Sequence, residues 1–111
     1  MNYEVIPTEN FGKKLKRLKK KYPLIGVDIR DFASSDNIEA NINAGEQLGR
    51  DCHKLRMKIS GKNSGKSGGA RIIVQAKVID KKVYLLTIYD KGDQETVTDK
   101  EIDKLIARIG T

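Results

Sequence analysis

Lys54, Arg56 and Lys58 alternate with Leu55, Met57 and Ile59. Period-two alternation marks a half-buried strand, apolar on one face and here carrying a row of cations on the other. Like charges along one strand face repel one another, so the row has no value as pure structure. An anionic ligand lying across the sheet explains it. A glycine-rich basic loop follows, Ser60-Gly-Lys-Asn-Ser-Gly-Lys-Ser-Gly-Gly69, and leads to Arg71. Its glycines would let the backbone approach a phosphate while Lys62 and Lys66 neutralise it. A flexible hairpin connection is the plainer alternative. A nucleotide-binding P-loop is excluded, because that motif needs four residues between its first glycine and Gly-Lys-Ser. Here Gly61 to Gly65 leaves three, and the loop opens onto a strand at Ala70 rather than a helix.

Other chemistries lack their residues. No group of His, Cys, Asp and Glu has metal-ligand spacing, so neither a metal nor a cofactor is expected. His53 is the single histidine, and by parity it falls with Leu55, Met57 and Ile59 on the apolar side, as a strand-end or structural residue. Cys52 has no matched His–Asp pair to activate it and reads as a small core residue. A lone cysteine forms no internal disulfide and fits a reducing cytoplasm.

The distribution of charge supports the anionic partner. The net charge is +7 over 111 residues. Residues 50–91 carry 11 basic and 3 acidic groups, whereas residues 1–49 carry 8 and 7, and residues 92–111 carry 3 and 5. The excess therefore sits on the strands and their loop, as a nucleic-acid backbone or another polyanion would require. Only four tyrosines and two phenylalanines are present, too few for a sheet that reads single strands by stacking bases on several aromatics. No apolar run is long enough to span a bilayer, and Met1 to Pro7 lack a signal-peptide pattern, so a cytoplasmic protein with no membrane partner is expected.

The elements that must position these residues follow from the periodicities. One domain over 1–111 is expected from the length. Tyr3 to Pro7 reads as an edge strand closed by proline. Thr8 or Asn10 caps a helix whose stripe is Phe11, Leu15, Leu18 and Tyr22. Lys13, Lys16 and Lys20 lie among the lysines around that stripe. They form either a phosphate-contacting face or a solvated one, since lysine is the usual exposed helix residue. Pro23 separates a second helix carrying Ile25, Ile29 and Phe32. Helix is expected to continue into the low forties, through Ile38 and Ile42, and then a loop to the basic strand. Residues 71–80 and 83–89 form a hairpin that is apolar on both parities and therefore central. Thr98 with Glu101 is a capping box for a last helix carrying Ile102, Leu105, Ile106 and Ile109, ended by Gly110. The fold class is α+β: an antiparallel twisted sheet of about four strands, two N-terminal helices and one C-terminal helix.

Cys-His-Lys-Leu-Arg-Met-Lys-Ile, Gly-Lys-Ser-Gly-Gly-Ala-Arg-Ile-Ile and Val-Tyr-Leu-Leu-Thr-Ile-Tyr-Asp-Lys together resemble the RelE/ParE superfamily of type II toxins, and most of all its HigB-like branch. The resemblance covers roughly residues 48–106. It implies a RelE-like fold and a toxin that cleaves messenger RNA on the translating ribosome. It also implies neutralisation by a co-encoded antitoxin of the DNA-binding, helix-turn-helix type. Carried over by position, it places Lys54 and Arg56 on the family's catalytic basic strand and Arg71 at its arginine after the loop. Lys91 lies near where RelE-type enzymes place another cation. The later tyrosine of those enzymes has no counterpart, Val97 lying about there, so Tyr89 stands in or stacking comes from the ribosome. Lys58, Lys62, Lys66, Lys13, Lys16 and Lys20 are the candidate RNA contacts.

Cleaving RNA through its own 2′-hydroxyl requires a proton acceptor, cations on the phosphorane and a proton for the leaving oxygen. Arginine stays protonated, so Arg56 and Arg71 suit the phosphate, and Lys54 among cations is the candidate base. A ParE-type inhibitor of DNA gyrase and a plain RNA- or ribosome-binding module remain open beside this reading. Codon preference, antitoxin identity, oligomeric state and the general acid are not legible from the residues.

Overall fold

β4 (Ala70–Lys77) and β5 (Lys82–Asp90), the two runs apolar on both parities, lie at the centre of a five-stranded sheet in a computed structural model that describes residues 3–62, 65, 68–94 and 96–109. β3 (Cys52–Met57) pairs antiparallel with β4, and β2 (Glu46–Gly49) pairs antiparallel with β3 at one edge. β1 (Glu4–Pro7) forms the other edge and runs parallel to β5. The sheet is thus mostly antiparallel, with one strand more than the periodicities suggest and one parallel pair. The extra strand is β2, in a segment expected to be loop. Its four residues contain one apolar side chain, Leu48, so no alternation announces it; pairing to the open edge of β3 makes it a strand.

Four helices cover this sheet. α1 (Glu9–Lys19) starts where the Thr8 hydroxyl accepts from the Phe11 amide at 3.3 Å. α2 (Ile25–Phe32) and α3 (Ile38–Asn43) are separate helices, not one continuing into the low forties. The break is made by asparagines. Asn37 Nδ2 donates to Asp31 O and Asn41 Nδ2 to Phe32 O, both at 2.8 Å, satisfying carbonyls that α2 leaves open at its C-terminus. Gly45 then turns the chain into β2 so close to Leu55 and the Lys54 carbonyl that a Cβ would collide with them. α4 (Asp99–Ala107) carries the expected Thr98–Glu101 capping box, while the expected stop at Gly110 lies outside the described residues.

The two faces of the sheet are unequal. α1, α2 and α3 bury Phe11, Ile25, Ile29, Ile38 and Ile42 against Leu55, Met57, Ile72, Val74, Val83, Leu85 and Ile88. On the opposite face α4 brings Ile102, with Leu105, Ile106 and Ile109, onto Cys52, Ile73, Leu86 and Tyr89.

A bulge in β5 decides what Tyr89 faces. Ile73 pairs with Thr87 but Val74 pairs with Leu85, so Leu86 is an extra residue. Without it Leu85, Thr87 and Tyr89 would share one face. With it Leu85 joins the larger core, and Thr87 and Tyr89 turn to the α4 side. The displaced backbone is satisfied locally. Asn10 Nδ2 donates to Leu86 O at 2.9 Å, and the Thr8 amide and hydroxyl donate to Leu85 O at 3.1 and 2.9 Å.

Candidate functional site

The strand registers place three expected site residues side by side. Arg56 on β3 lies opposite Arg71 on β4, and Arg71 lies opposite Tyr89 on β5. All three are on the α4 side of the sheet, beyond the apolar patch of Ile73 and Leu86. Lys54 sits two residues along β3 on the same face, opposite Ile73. Lys91 follows the end of β5 and is exposed, its amide donating to Gly69 O at 3.0 Å. Four of the five candidate catalytic residues therefore share one face of three adjacent strands, and the fifth is at its rim.

Arg71 is the second residue of β4 and is 3% exposed, so it is built into the sheet. Its guanidinium donates to Ala70 O at 3.2 Å. Burial first, and then the charge of Arg56, lower its pKa below the ordinary arginine value, while Tyr89 opposes this. Arginine remains a cation under such a shift. Arg56 is exposed, so one guanidinium is anchored and its neighbour faces solvent.

Tyr89 is 6% exposed, and its hydroxyl has no hydrogen-bond partner among the described residues. Burial pushes its pKa up, with Glu46 adding to the rise and Arg71 opposing it. The phenol is therefore protonated at neutral pH and available as a donor. An unpaired buried hydroxyl costs about 1–3 kcal/mol, and such groups recur where a ligand completes them.

Glu46 is an acid that the sequence did not bring to this place. It lies opposite Lys54 on β2, with its Oε1 3.8 Å from Lys54 Nζ. Lys54 thus has an acidic neighbour as well as the cations expected beside it. The signal was missing because the segment from Ala33 to Arg50 reads as helix and loop, which places Glu46 nowhere in particular.

The remaining cations distribute unevenly. Lys58 is exposed and shares a shallow hollow with Ser60, Gly61, Lys62 and Gly65. Lys62, expected to neutralise a phosphate, instead turns inward, its Nζ 2.5 Å from the buried Asp90 carboxylate. Burying that carboxylate demands a cation, and Lys62 supplies it. Lys66 lies outside the described residues. Lys13, Lys16 and Lys20 are exposed on α1, and Lys13 pairs with Glu9 at 3.4 Å. The α1 cations that approach Tyr89 are others. An open groove of about 360 Å³ runs beside Tyr89 and Thr87, with Lys14 and Arg17 of α1 on one wall and Lys104 and Arg108 on the other.

His53 is half-buried, and burial lowers its pKa and favours the neutral ring. Cys52 is 1% exposed, and burial pushes its thiol up to about 11, far from a reactive thiolate. Among the described residues no group of His, Cys, Asp and Glu is arranged to hold a metal ion, and no helix is long and apolar enough to cross a membrane.

Comparison with known proteins places the chain. The family model described as the RelE toxin of the RelE/RelB toxin-antitoxin system matches residues 12–109. No curated protein matches the chain by sequence. Among solved structures, a doubly substituted variant of E. coli toxin RelE in the free state aligns at TM-score 0.58 and 16% identity, covering 98% of this chain and 99% of that one. The same variant in complex with an antitoxin RelB peptide aligns at TM-score 0.45 and 18% identity, covering 98% and 99%. The intact E. coli RelBE toxin-antitoxin complex aligns at TM-score 0.41 and 20% identity over 79% of this chain and 95% of that one. The first of these shows a shared fold.

Proposed function

This chain belongs to the RelE toxin family, and from that premise we propose that it is a ribosome-dependent endoribonuclease that cleaves messenger RNA and arrests translation. The observation that carries the reading is the Arg56–Arg71–Tyr89 row on one sheet face. Two guanidiniums on adjacent strands suit the charge that accumulates on a phosphorane, where fixed donors are most effective. The RNA 2′-oxygen attacks the adjacent phosphorus, the P–O5′ bond breaks, and a 2′,3′-cyclic phosphate and a 5′-hydroxyl result.

Two proton transfers complete the step. Lys54 accepts the 2′-hydroxyl proton only as a free amine, whereas a carboxylate is a base at neutral pH without perturbation. Glu46 beside Lys54 is therefore a second acceptor for this role. Tyr89, a protonated phenol opposite Arg71, donates toward the leaving oxygen or to the phosphate in this reading. Lys91 and Lys58 add cations at the rim. No step needs a metal. A co-encoded antitoxin is the partner that family membership supports, and the helix-turn-helix, DNA-binding type is the form we expect.

Ribosome dependence follows from what the row lacks. It supplies cations and a phenol, but the chain has one histidine, so it has no paired imidazoles to run both transfers unaided. Orientation of the substrate by the decoding site then supplies the missing advantage. The experiment is primer extension on messenger RNA after induction, together with purified protein on free and ribosome-bound RNA. Cuts within translated frames, absent on naked RNA, are expected. Growth arrest with intact messages and inhibited gyrase would instead identify a ParE-type poison.

A further inference from the structure

Tyr89 is followed by an acid that the chemistry above does not use. We propose that Asp90 is a positioning residue which, from behind the Arg56–Arg71–Tyr89 row, ties Lys62 to the end of β5 and so holds the row in register. The proposal rests on reading that row as the reacting centre.

Asp90 lies opposite Ala70, the residue before Arg71, and its side chain is 1% exposed. Both carboxylate oxygens are used. Oδ1 accepts from Lys62 Nζ at 2.5 Å and from the Gly92 amide at 2.9 Å, and Oδ2 accepts from the Tyr22 hydroxyl at 2.7 Å. Lys21 Nζ stands 3.8 Å from Oδ2. A carboxylate this buried is tolerable only when paired and hydrogen-bonded, which requires these partners to stay in place. Burial alone would raise its pKa, but Lys62, Tyr22 and Gly92 outweigh it and hold the pKa below the ordinary value.

The connections bracket the row. Lys62 belongs to the turn that follows β3, its amide donating to Ile59 O at 3.1 Å. Gly69, immediately before β4, accepts from the Lys91 amide at 3.0 Å, and a Cβ on Gly69 would collide with the Met57 carbonyl. The Asp90 carbonyl also closes the next turn, accepting from Asp93 and Gln94 at 3.0 and 3.2 Å. The side chain of Asp90 and the backbone of Lys91 thus join β5 to the turn after β3 and to the start of β4. Those three places flank Arg56, Arg71 and Tyr89. Two adjacent guanidiniums repel one another, so their spacing must be imposed by the backbone, and Asp90 is where three segments meet to impose it.

Asp90→Asn, Lys62→Met, the double variant and Tyr22→Phe test this with ribosomes in excess and single-turnover readout. Asp90→Asn and Lys62→Met should each slow cleavage about tenfold or more, as small misplacements of a reacting centre do. Ribosome affinity should hold within about twofold, since a slowed chemical step with unchanged binding marks loss of transition-state alignment. The double variant should be no slower than the slower single, because both break one contact. Tyr22→Phe removes a partner of Asp90 without freeing Lys62, and should lower the melting temperature while sparing the rate.

If Asp90→Asn instead tightened ribosome binding and cut at the normal rate, Lys62 would be a phosphate contact held back by Asp90. If the rates of all four variants tracked their melting temperatures, Asp90 would be structural only. Either result overturns the proposal. A readout without activity separates it from the ribonuclease reading. In Asp90→Asn, exchange of the Lys91 amide should accelerate about tenfold relative to the Val74 amide, as local opening predicts. Unchanged exchange sinks the anchoring whatever the chain cleaves. Accelerated exchange in a chain that cuts no ribosome-bound message upholds the anchor and discards the ribonuclease.

Discussion

The two faces of the sheet are built from the same strands yet do different things. Toward α1, α2 and α3, strands β3, β4 and β5 present Leu55, Met57, Ile72, Val74 and Ile88, an apolar surface with the paired carboxylate of Asp90 at its end. Toward α4, the same strands present Cys52, Ile73 and Leu86 near one end and Arg56, Arg71 and Tyr89 near the other. The first face meets the energetic demand of folding, which frees the second to carry buried groups that are costly by themselves. Arg71 at 3% and Tyr89 at 6% exposure are such groups. A fold can hold a desolvated cation beside another cation only if stability comes from elsewhere.

Arg71 and Ile72 are consecutive and almost equally buried, at 3% and 0%, but they face opposite ways. They therefore give the sharpest way to break this contrast. Arg71→Ala should reduce single-turnover cleavage of ribosome-bound message by about 10²–10³-fold, the usual cost of losing one preorganised donor to a developing oxyanion. Ile72→Ala should cost about 2–5 kcal/mol of stability, the range for truncating a buried aliphatic, while protein that remains folded cuts at the normal rate. Denaturant unfolding and single-turnover cleavage of the same two preparations check both. Arg71→Ala with normal cleavage, or Ile72→Ala slow in the folded fraction, would erase the division of labour.

Most of this architecture was legible in the residues, and the omissions have physical causes. Alternation identified the basic strand, double-parity apolar runs identified the central hairpin, and Thr98 with Glu101 identified the start of α4. These signals survive because each reports burial of side chains. What failed to show was fixed by pairing or by single polar atoms. β2 exists through its ladder to β3, and the α2–α3 break through two asparagine amides. The Leu86 bulge is hidden because both faces at that point are apolar. The site suffered the same way. Lys54, Arg56, Arg71 and Tyr89 could be named as candidates from charge, motif and resemblance, whereas Glu46 and Asp90 come near them only through strand pairing. The burial of Arg71 was equally invisible, since arginine reads as exposed by default.

A medium-sized effect separates the faces by pH. Asp90 is held below the ordinary carboxylate pKa by Lys62, Tyr22 and Gly92 against the opposing effect of burial. A folded pKa below the unfolded one stabilises the native state most fully above the unfolded value, about 3.9 for aspartate. That contribution is lost as pH falls through the folded value, so it does not weaken near neutrality. Melting temperature should fall as acid is added below about pH 4, and part of that fall should be absent in Asp90→Asn. An identical acid limb in both proteins would mean that the carboxylate is not held charged by its partners.

The smallest expected effect concerns the cations farthest from the row. Lys13, Lys16 and Lys20 are exposed on α1, whereas Lys14 and Arg17 line the groove beside Tyr89. Replacing Lys13, Lys16 and Lys20 together should weaken ribosome binding and flatten its dependence on salt. The slope should change by at most about 0.7 per lost phosphate contact to a single strand. Cleavage of already bound message should scarcely change, because a remote cation acts on encounter and binding rather than on the chemical step. Replacing Lys14 and Arg17 should flatten the slope more per charge removed, since both line the groove that reaches Tyr89. Binding measured at several salt concentrations, with single-turnover cleavage beside it, distinguishes the two sets. Equal slopes for the two sets would mean that α1 attracts polyanions as one undivided charged face. A larger loss from Lys13, Lys16 and Lys20 would move the RNA path away from the groove altogether.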